Sequence, residues 1–266
     1  MTKNNELKIM TVGADKGGVK KTTTTQNMAE WLAQNGYSVL VFDKDRSMNL
    51  TRRYILEEEP GYVHNVLSVY AGEPLGDIIR PLSVKENIDL IASSSDIPEL
   101  EKKLESRIQR ELIFFKWISQ NYEVLNAHYD YILIDTRNDA GVLTLNSLAA
   151  ADAVIGITDV SVDGFEALFT LKEKVDELNE AYENEADLVF VVGGIAKGEK
   201  ATQEILKMLQ PQPEYIGAFR RNTNMANPET MFEQASKNRT FAREQEQFLY
   251  ELTQLFTKIK EVADYD

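Results

Sequence analysis

The run Gly13-Ala14-Asp15-Lys16-Gly17-Gly18-Val19-Lys20-Lys21-Thr22-Thr23 holds the densest chemistry in the sequence. Glycines let a backbone bend so that several N–H groups face one anion, while lysines add charge and hydroxyls add a metal ligand. That composition suits a phosphate cradle: lysine on the outer phosphates, threonine on a divalent cation. Two acids follow in Val41-Phe42-Asp43-Lys44-Asp45-Arg46-Ser47, and a third, Asp135, ends the run Tyr131-Ile132-Leu133-Ile134. A buried strand that ends in a carboxylate delivers it to a metal or to an attacking water. Taken singly, each acid reads equally well as a strand-end turn residue. In order, after three apolar runs, they support one nucleotide site.

The elements that must position these residues are legible as apolar runs. Leu7–Val12, Ser38–Phe42, Ile88–Ile91, Tyr131–Ile134, Ala153–Ile157 and Leu188–Val192 read as buried parallel strands. Between them, Thr22–Asn35, Glu99–Gln120, Phe165–Leu178, Ala201–Leu209 and Phe241–Val262 carry apolar residues at helical spacing. Alternating strands and helices predict an α/β fold with a mostly parallel twisted sheet and helices on both faces. Right-handed crossovers put ligand loops at the carboxyl ends of the strands. No repeat or Pro/Gly/Ser linker divides the chain, so residues 1–266 read as a single domain.

The glycine-rich run resembles the deviant P-loop of the ParA/MinD ATPases, whose usual form is Lys-Gly-Gly-Val-Gly-Lys-Thr-Thr. Asp43 to Thr51 resembles that family's Asp-x-Asp-Pro-Gln-x-Asn-Leu-Thr, and Asp130 to Asp139 its metal-binding strand. The likeness covers most of the chain. Asn65–Tyr70, Asn87–Ala92 and Leu143–Asp152 follow the partition proteins rather than the cell-division ones. The resemblance implies a P-loop fold, ATP and Mg²⁺ as cofactors, and a nucleotide-sandwich homodimer. By that likeness Lys16 acts on phosphates in trans and Lys21 in cis. Gly17, Gly18, Val19, Lys20, Lys21, Thr22 and Thr23 form the nucleotide loop. Thr22, Asp43 and Asp135 belong to the Mg²⁺ shell, and Asp45 to the attacking water. Arg220-Arg221-Asn222 stands where ParA proteins carry Pro-Arg-Asn, which makes Asn222 an adenine-contact candidate.

Three departures are cationic. Lys20 replaces the last loop glycine, and Arg46 and Arg137 replace neutral residues in loops expected around the outer phosphates. Either Lys20 crowds the cradle and weakens nucleotide binding, or it offers its ammonium to the phosphates. Asp15 and Lys20 flank the loop and could pair across its mouth.

Composition limits the alternatives. The chain carries 29 Lys+Arg against 43 Asp+Glu, net −14, with no cysteine. Thiolate metal sites, Fe–S clusters, disulfides and cysteine nucleophiles are thereby excluded. His64 and His128 join no catalytic or metal pattern and read as ordinary surface or loop residues. The polar stretch Met1–Lys8 lacks an apolar signal region, so the expected location is cytoplasmic, nucleoid-associated if the chain binds DNA. An acidic chain needs a local basic patch to hold DNA. Residues 197–243 supply one, with Lys197, Lys200, Lys207, Arg220, Arg221, Lys237, Arg239 and Arg243. A solvated helical face is the competing account of the same charges.

The function that the resemblance implies is a ParA-type DNA partition ATPase. It would form an ATP- and Mg²⁺-dependent homodimer on non-specific DNA, regulated by a ParB-like centromere-binding partner, and convert ATP and water to ADP and phosphate. The alternative is a catalytically weak or inactive ParA-like scaffold, favoured by Lys20, Arg46 and Arg137. A peripheral membrane ATPase is disfavoured because the chain closes Asp264-Tyr265-Asp266, which an anionic leaflet repels. The stripe Leu252, Leu255, Phe256, Ile259 and Val262 is expected to pack in the core.

Overall fold

The computed structural model describes residues 6–14, 16–55, 65–76, 79–237 and 243–265. Strand β1 (Lys8–Gly13) leads through the glycine-rich loop into α1 (Lys21–Gln34). Then β2 (Val39–Asp43) is followed by α2 (Asn49–Tyr54) and α3 (Val66–Ala71). A hairpin of β3 (Leu82–Lys85) and β4 (Ile88–Ile91) precedes α4 (Ile97–Leu104), α5 (Ile113–Gln120) and α6 (Tyr122–His128). Next come β5 (Tyr131–Asp135), α7 (Val142–Leu148), β6 (Ala153–Thr158), α8 (Val162–Tyr182) and β7 (Asp187–Ile195). The chain continues with α9 (Lys200–Leu209), β8 (Tyr215–Arg220), α10 (Met231–Lys237) and α11 (Arg243–Ala263).

The strands form one sheet in the order β3-β4-β2-β5-β1-β6-β7-β8, parallel except for β3 against β4. The register sets Asp43 beside Asp135 and Val12 beside Asp135, so β1, β2 and β5 end together. Successive residues of the central strands face opposite sides of the sheet. Met10, Val12, Val39, Val41 and Leu133 pack with Met28, Trp31, Leu32 and Phe256 from α1 and α11. Ile9, Leu40, Phe42, Ile132 and Ile134 pack with Tyr70, Phe114 and Trp117 from α3 and α5. Both faces are covered, as a parallel sheet requires.

Helix α1 contains Thr22, Thr23, Thr24 and Thr25, four β-branched residues of modest helix propensity. Burial holds it instead, since every residue from Thr23 to Ala33 is buried. Thr25 donates to the Lys21 carbonyl at 3.1 Å and Asn27 to the Thr23 carbonyl at 2.8 Å, so these polar groups are satisfied within the helix.

The structure corrects several expectations. Glu99–Gln120 is not one helix: Gln109 adopts φ 53°, which an α-helix cannot pass through, and a 3₁₀ turn at Arg110–Leu112 restarts the chain. Ile108, placed on the expected apolar stripe, is 93% exposed in that break. Strands β3 and β8 carried no clear sequence signal. The first has four residues with one register irregularity, and the second contains Gly217. The stripe of α11 packs as expected, with Leu252, Leu255, Phe256 and Ile259 buried and Val262 partly so. Among the described residues no helix is long and apolar enough to cross a membrane.

Candidate nucleotide-binding site

Gly17, Gly18, Val19, Lys20, Lys21, Thr22 and Thr23 line a cavity of about 430 Å³ with Asp45, Ser47, Asn49, Arg53 and Asn138. It lies at the carboxyl ends of β1 and β2, where the loop enters α1. Free N–H groups at a helix start favour an anion there. Gly18 has φ 78° and Lys20 φ 74°, both in the left-handed region. That explains the family's glycine at the Lys20 position: the backbone needs it, and a lysine there is strained by about 1–2 kcal/mol. A Cβ on Gly17 would stand 3.1 Å from Asn138 Nδ2, a tight contact that the exposed Asn138 side chain would have to relieve.

The acids converge as the sequence implied. Thr22 Oγ1 donates to Asp135 Oδ2 at 2.7 Å, joining the start of α1 to the end of β5. Asp43 is fully buried and accepts from the Asp45 N–H at 3.0 Å and from the Thr51 N–H and hydroxyl at 2.8 Å each. Burial pushes Asp43 up to about 6. Burial and the Asp43 charge push Asp135 up to about 8, opposed by the Thr22 hydrogen bond and the Lys21 charge. Such oxygen donors, with substrate phosphates and water, suit Mg²⁺, which rarely takes an all-protein cage. Among the described residues no group of three or more His, Cys, Asp or Glu side chains is arranged to hold a metal by itself. Asp45 is partly exposed at the cavity wall, its Oδ1 accepting from the Ser47 N–H at 2.8 Å.

The cations do not gather as the sequence suggested. Arg137 bonds Glu101 at 2.8 Å and Asp139 at 2.7 Å, and is absent from the cavity wall. Arg46 is exposed and its charge bears on Glu101. Lys20 lines the cavity, and its ammonium lies 5.9 Å from the Phe219 ring centroid. Its expected partner Asp15 lies outside the described residues. Lys16 is bound within its own chain, at 3.1 Å from Asp159 Oδ2 and 2.6 Å from Ser161 Oγ. Ser161 also caps α8, accepting from the Gly164 N–H at 3.0 Å.

Two neighbours of the site escaped the sequence reading. Arg53 of α2 reaches the cavity, its guanidinium held by Gln26 Oε1 at 2.7 Å and Thr23 Oγ1 at 3.0 Å. Lys44, between the two acids, is buried at 1% exposure, with Nζ 3.1 Å from the Phe114 centroid and 3.3 Å from Tyr70 Oη. Burial pushes this amine well below its ordinary range. No short-range sequence pattern announces either position.

On the other side of β1, a second cavity of about 530 Å³ is lined by Arg220, Arg221, Asn222, Thr223, Asn224, Glu244, Gln245 and Phe248. Asn222 Oδ1 accepts from the Asn224 N–H at 2.9 Å, which fixes its carboxamide at the cavity wall. The basic residues are partly neutralised. Arg220 forms a two-point pair with Glu251 at 3.0 and 2.7 Å, Lys237 pairs with Glu229 at 2.7 Å, and Lys200 lies 3.5 Å from Glu204. Lys197, Lys200, Arg220 and Arg221 share the carboxyl edge of β7 and β8, whereas Lys237 lies on α10, which packs against α1. Arg239 lies outside the described residues, as does His64. His128 is exposed, with Nδ1 2.8 Å from the Val124 carbonyl of its own helix.

Comparison with known proteins agrees with this geometry. The family model AAA_31, an AAA domain, matches residues 7–188. Sporulation initiation inhibitor protein Soj of Bacillus subtilis is 35% identical over 150 residues, a match spanning 56% of this chain and 56% of Soj. A plasmid partition protein of Borrelia burgdorferi, solved with AMPPNP, superposes with TM-score 0.76 at 20% identity over 96% of this chain and 99% of that one. Cobyrinic acid a,c-diamide synthase of Mycobacterium smegmatis, solved with ADP and magnesium, superposes with TM-score 0.70 at 22% identity over 82% and 89%. With Thr22 at the end of the loop bonded to the strand-end carboxylate Asp135, the family match over residues 7–188 and the likeness to Soj, the chain belongs to the ParA/MinD-type family of P-loop ATPases.

Proposed function

We propose that this chain is a partition ATPase of the ParA type, closing as a homodimer on ATP and Mg²⁺, binding DNA without sequence preference and answering to a ParB-like centromere-binding partner. The observation that carries the reading is the 2.7 Å bond from Thr22 to Asp135 beside buried Asp43. It pre-positions the oxygen atoms that a nucleotide-bound Mg²⁺ needs. In this reading Thr22, Asp43 and Asp135 hold the ion, directly or through water, and the ion neutralises charge on the phosphates. Lys21 at the start of α1 and the loop N–H groups hold the outer phosphates. Asp45 at the cavity wall orients the attacking water. Lys16 would leave Asp159 and Ser161 to serve the facing subunit. Asn222 sits where it can meet a base in the second cavity.

The scaffold reading rests on its own observations: a side chain at the strained Lys20 position and an Arg137 spent on Glu101 and Asp139. Steady-state hydrolysis separates the two. If the first reading holds, the chain turns over ATP slowly with Mg²⁺, and Lys21→Ala or Asp45→Ala lowers kcat at least ~100-fold. Turnover absent from the unmodified chain while ATP still binds would give first place to the scaffold.

A further inference from the structure

We propose that Lys20 and Arg221 form a second anion subsite, on the nucleoside side of the loop, that takes the nucleoside-proximal phosphate of a bound nucleotide. This inference rests on the nucleotide reading of the loop and names a contact within it.

Sheet order gives the direction. The carboxylates Asp43 and Asp135 end β2 and β5, on one side of β1, whereas β7 and β8 lie on the other. A polyphosphate with its outer end toward the carboxylates therefore points its nucleoside end at β7 and β8. The cavity lined by Arg221 and Asn222 opens there. Lys20 lines the first cavity, and its ammonium reaches Phe219 of β8 and Gly194 of β7.

The surroundings of that side chain are built to admit it. Gly194 has φ 80°, and Lys20 Nζ lies 3.8 Å from where a Cβ on Gly194 would be. A Cβ on Gly193 would come within 2.7 Å of the Phe219 ring, so Gly193 makes room for the ring, and the amine beside Gly194 stands at ordinary contact distance. The Arg221 N–H bonds the Ile195 carbonyl at 2.9 Å, which fixes the arginine backbone to the end of β7.

The charge is unbalanced. Among the described residues Lys20 has no carboxylate within ion-pair distance, and Arg221 has only Glu199 at 3.9 Å. Arg220 is already satisfied by Glu251. Burial and the Arg221 charge together push the Lys20 amine below its ordinary range. A half-buried cation that feels the charge of a second cation gains from an anion placed near both. The strained lysine is then the means by which charge reaches a place that the family's glycine cannot serve.

The test is calorimetric titration of ATP and of inorganic tripolyphosphate, each with Mg²⁺, into the unmodified chain and the Lys20→Met, Lys20→Gly and Arg221→Ala variants. Thermal melts run alongside. Lys20→Met keeps length and removes charge, so ATP and tripolyphosphate should both bind about tenfold more weakly. Arg221→Ala should weaken both in the same direction. Lys20→Gly should raise Tm, because φ 74° suits glycine, yet still lower affinity. Opposite signs for stability and affinity are the signature of a ligand contact.

Equal or tighter ATP binding by Lys20→Met or Lys20→Gly would overturn the subsite and leave the nucleotide site standing. Binding by Lys20→Gly with none by the unmodified chain would do the same, making Lys20 a block. Weakening confined to ATP would shift the contact to the nucleoside and overturn the phosphate assignment. No binding by any variant would bring down both the subsite and the nucleotide reading.

Discussion

At the scale of the residue, the site is governed by what burial does to charge. Asp135 is fully buried beside Asp43, and both carboxyls resist ionisation in the folded chain. A carboxyl raised in the folded state stabilises below its unfolded value near 4 and loses that contribution as pH climbs through the folded value. For Asp135 the loss therefore runs from about pH 4 to about pH 8. Metal-free Asp135→Asn should lack this loss, so its Tm should fall less between pH 5 and pH 8.5 than that of the unmodified chain. Superimposable Tm profiles would show that Asp135 ionises without strain. Lys44 follows the same rule with the opposite charge. Its neighbours are rings rather than carboxylates, and a sequence gives no hint of which neighbours a side chain will meet.

At the scale of the element, α1 and α11 illustrate how tertiary contacts override local preference. Helix α1 is rich in threonine and survives because it is enclosed by the sheet, α10 and α11. Phe256 of α11 is fully buried, with its ring 5.9 Å from Trp31 and 6.0 Å from Phe232. Phe256→Ala should lower the free energy of unfolding in urea by about 3–5 kcal/mol. Tyr250 on the same helix is 64% exposed, and Tyr250→Ala should change it by less than about 0.5 kcal/mol. Similar losses from the two would mean that α11 presents this stripe elsewhere than to the core. The fold was legible where an element is long and enclosed. It was not legible at Glu99–Gln120, where apolar spacing continues through a break made by one left-handed residue, Gln109.

At the scale of the whole molecule, net charge −14 sets the terms for any DNA contact. The carboxyl edge of β7 and β8 collects Lys197, Lys200, Arg220 and Arg221, and the last three each have a carboxylate within ion-pair distance. Reversing Arg220 to glutamate would face it with Glu251 and disturb the fold, so a loss of DNA retention in that variant would be ambiguous. Lys197 and Lys200 are the better probes, because both are exposed and neither belongs to the nucleotide site. In the proposed ATP-bound dimer, Lys197→Ala with Lys200→Ala should weaken DNA binding at every sequence tested. The slope of log affinity against log salt should become shallower by about one to two. An unchanged slope in a fluorescence-anisotropy salt series would remove this edge from the DNA surface.

Sequence by itself determined the chemistry on offer and its order: a glycine-rich loop with Lys16, Lys21 and Thr22, then Asp43, Asp45 and Asp135 after apolar runs. These are local facts, since strand, turn and helix signals act over a few residues. Tertiary structure decided which of those groups face one another. It bonded Thr22 to Asp135 across more than a hundred residues, brought Arg53 to the cavity, and led Arg137 away to Glu101. It also set the Lys20 ammonium 5.9 Å from the Phe219 ring of β8. The reason is physical. Burial and charge pairing depend on neighbours that the sheet order assembles from distant parts of the chain, and no local pattern encodes that order.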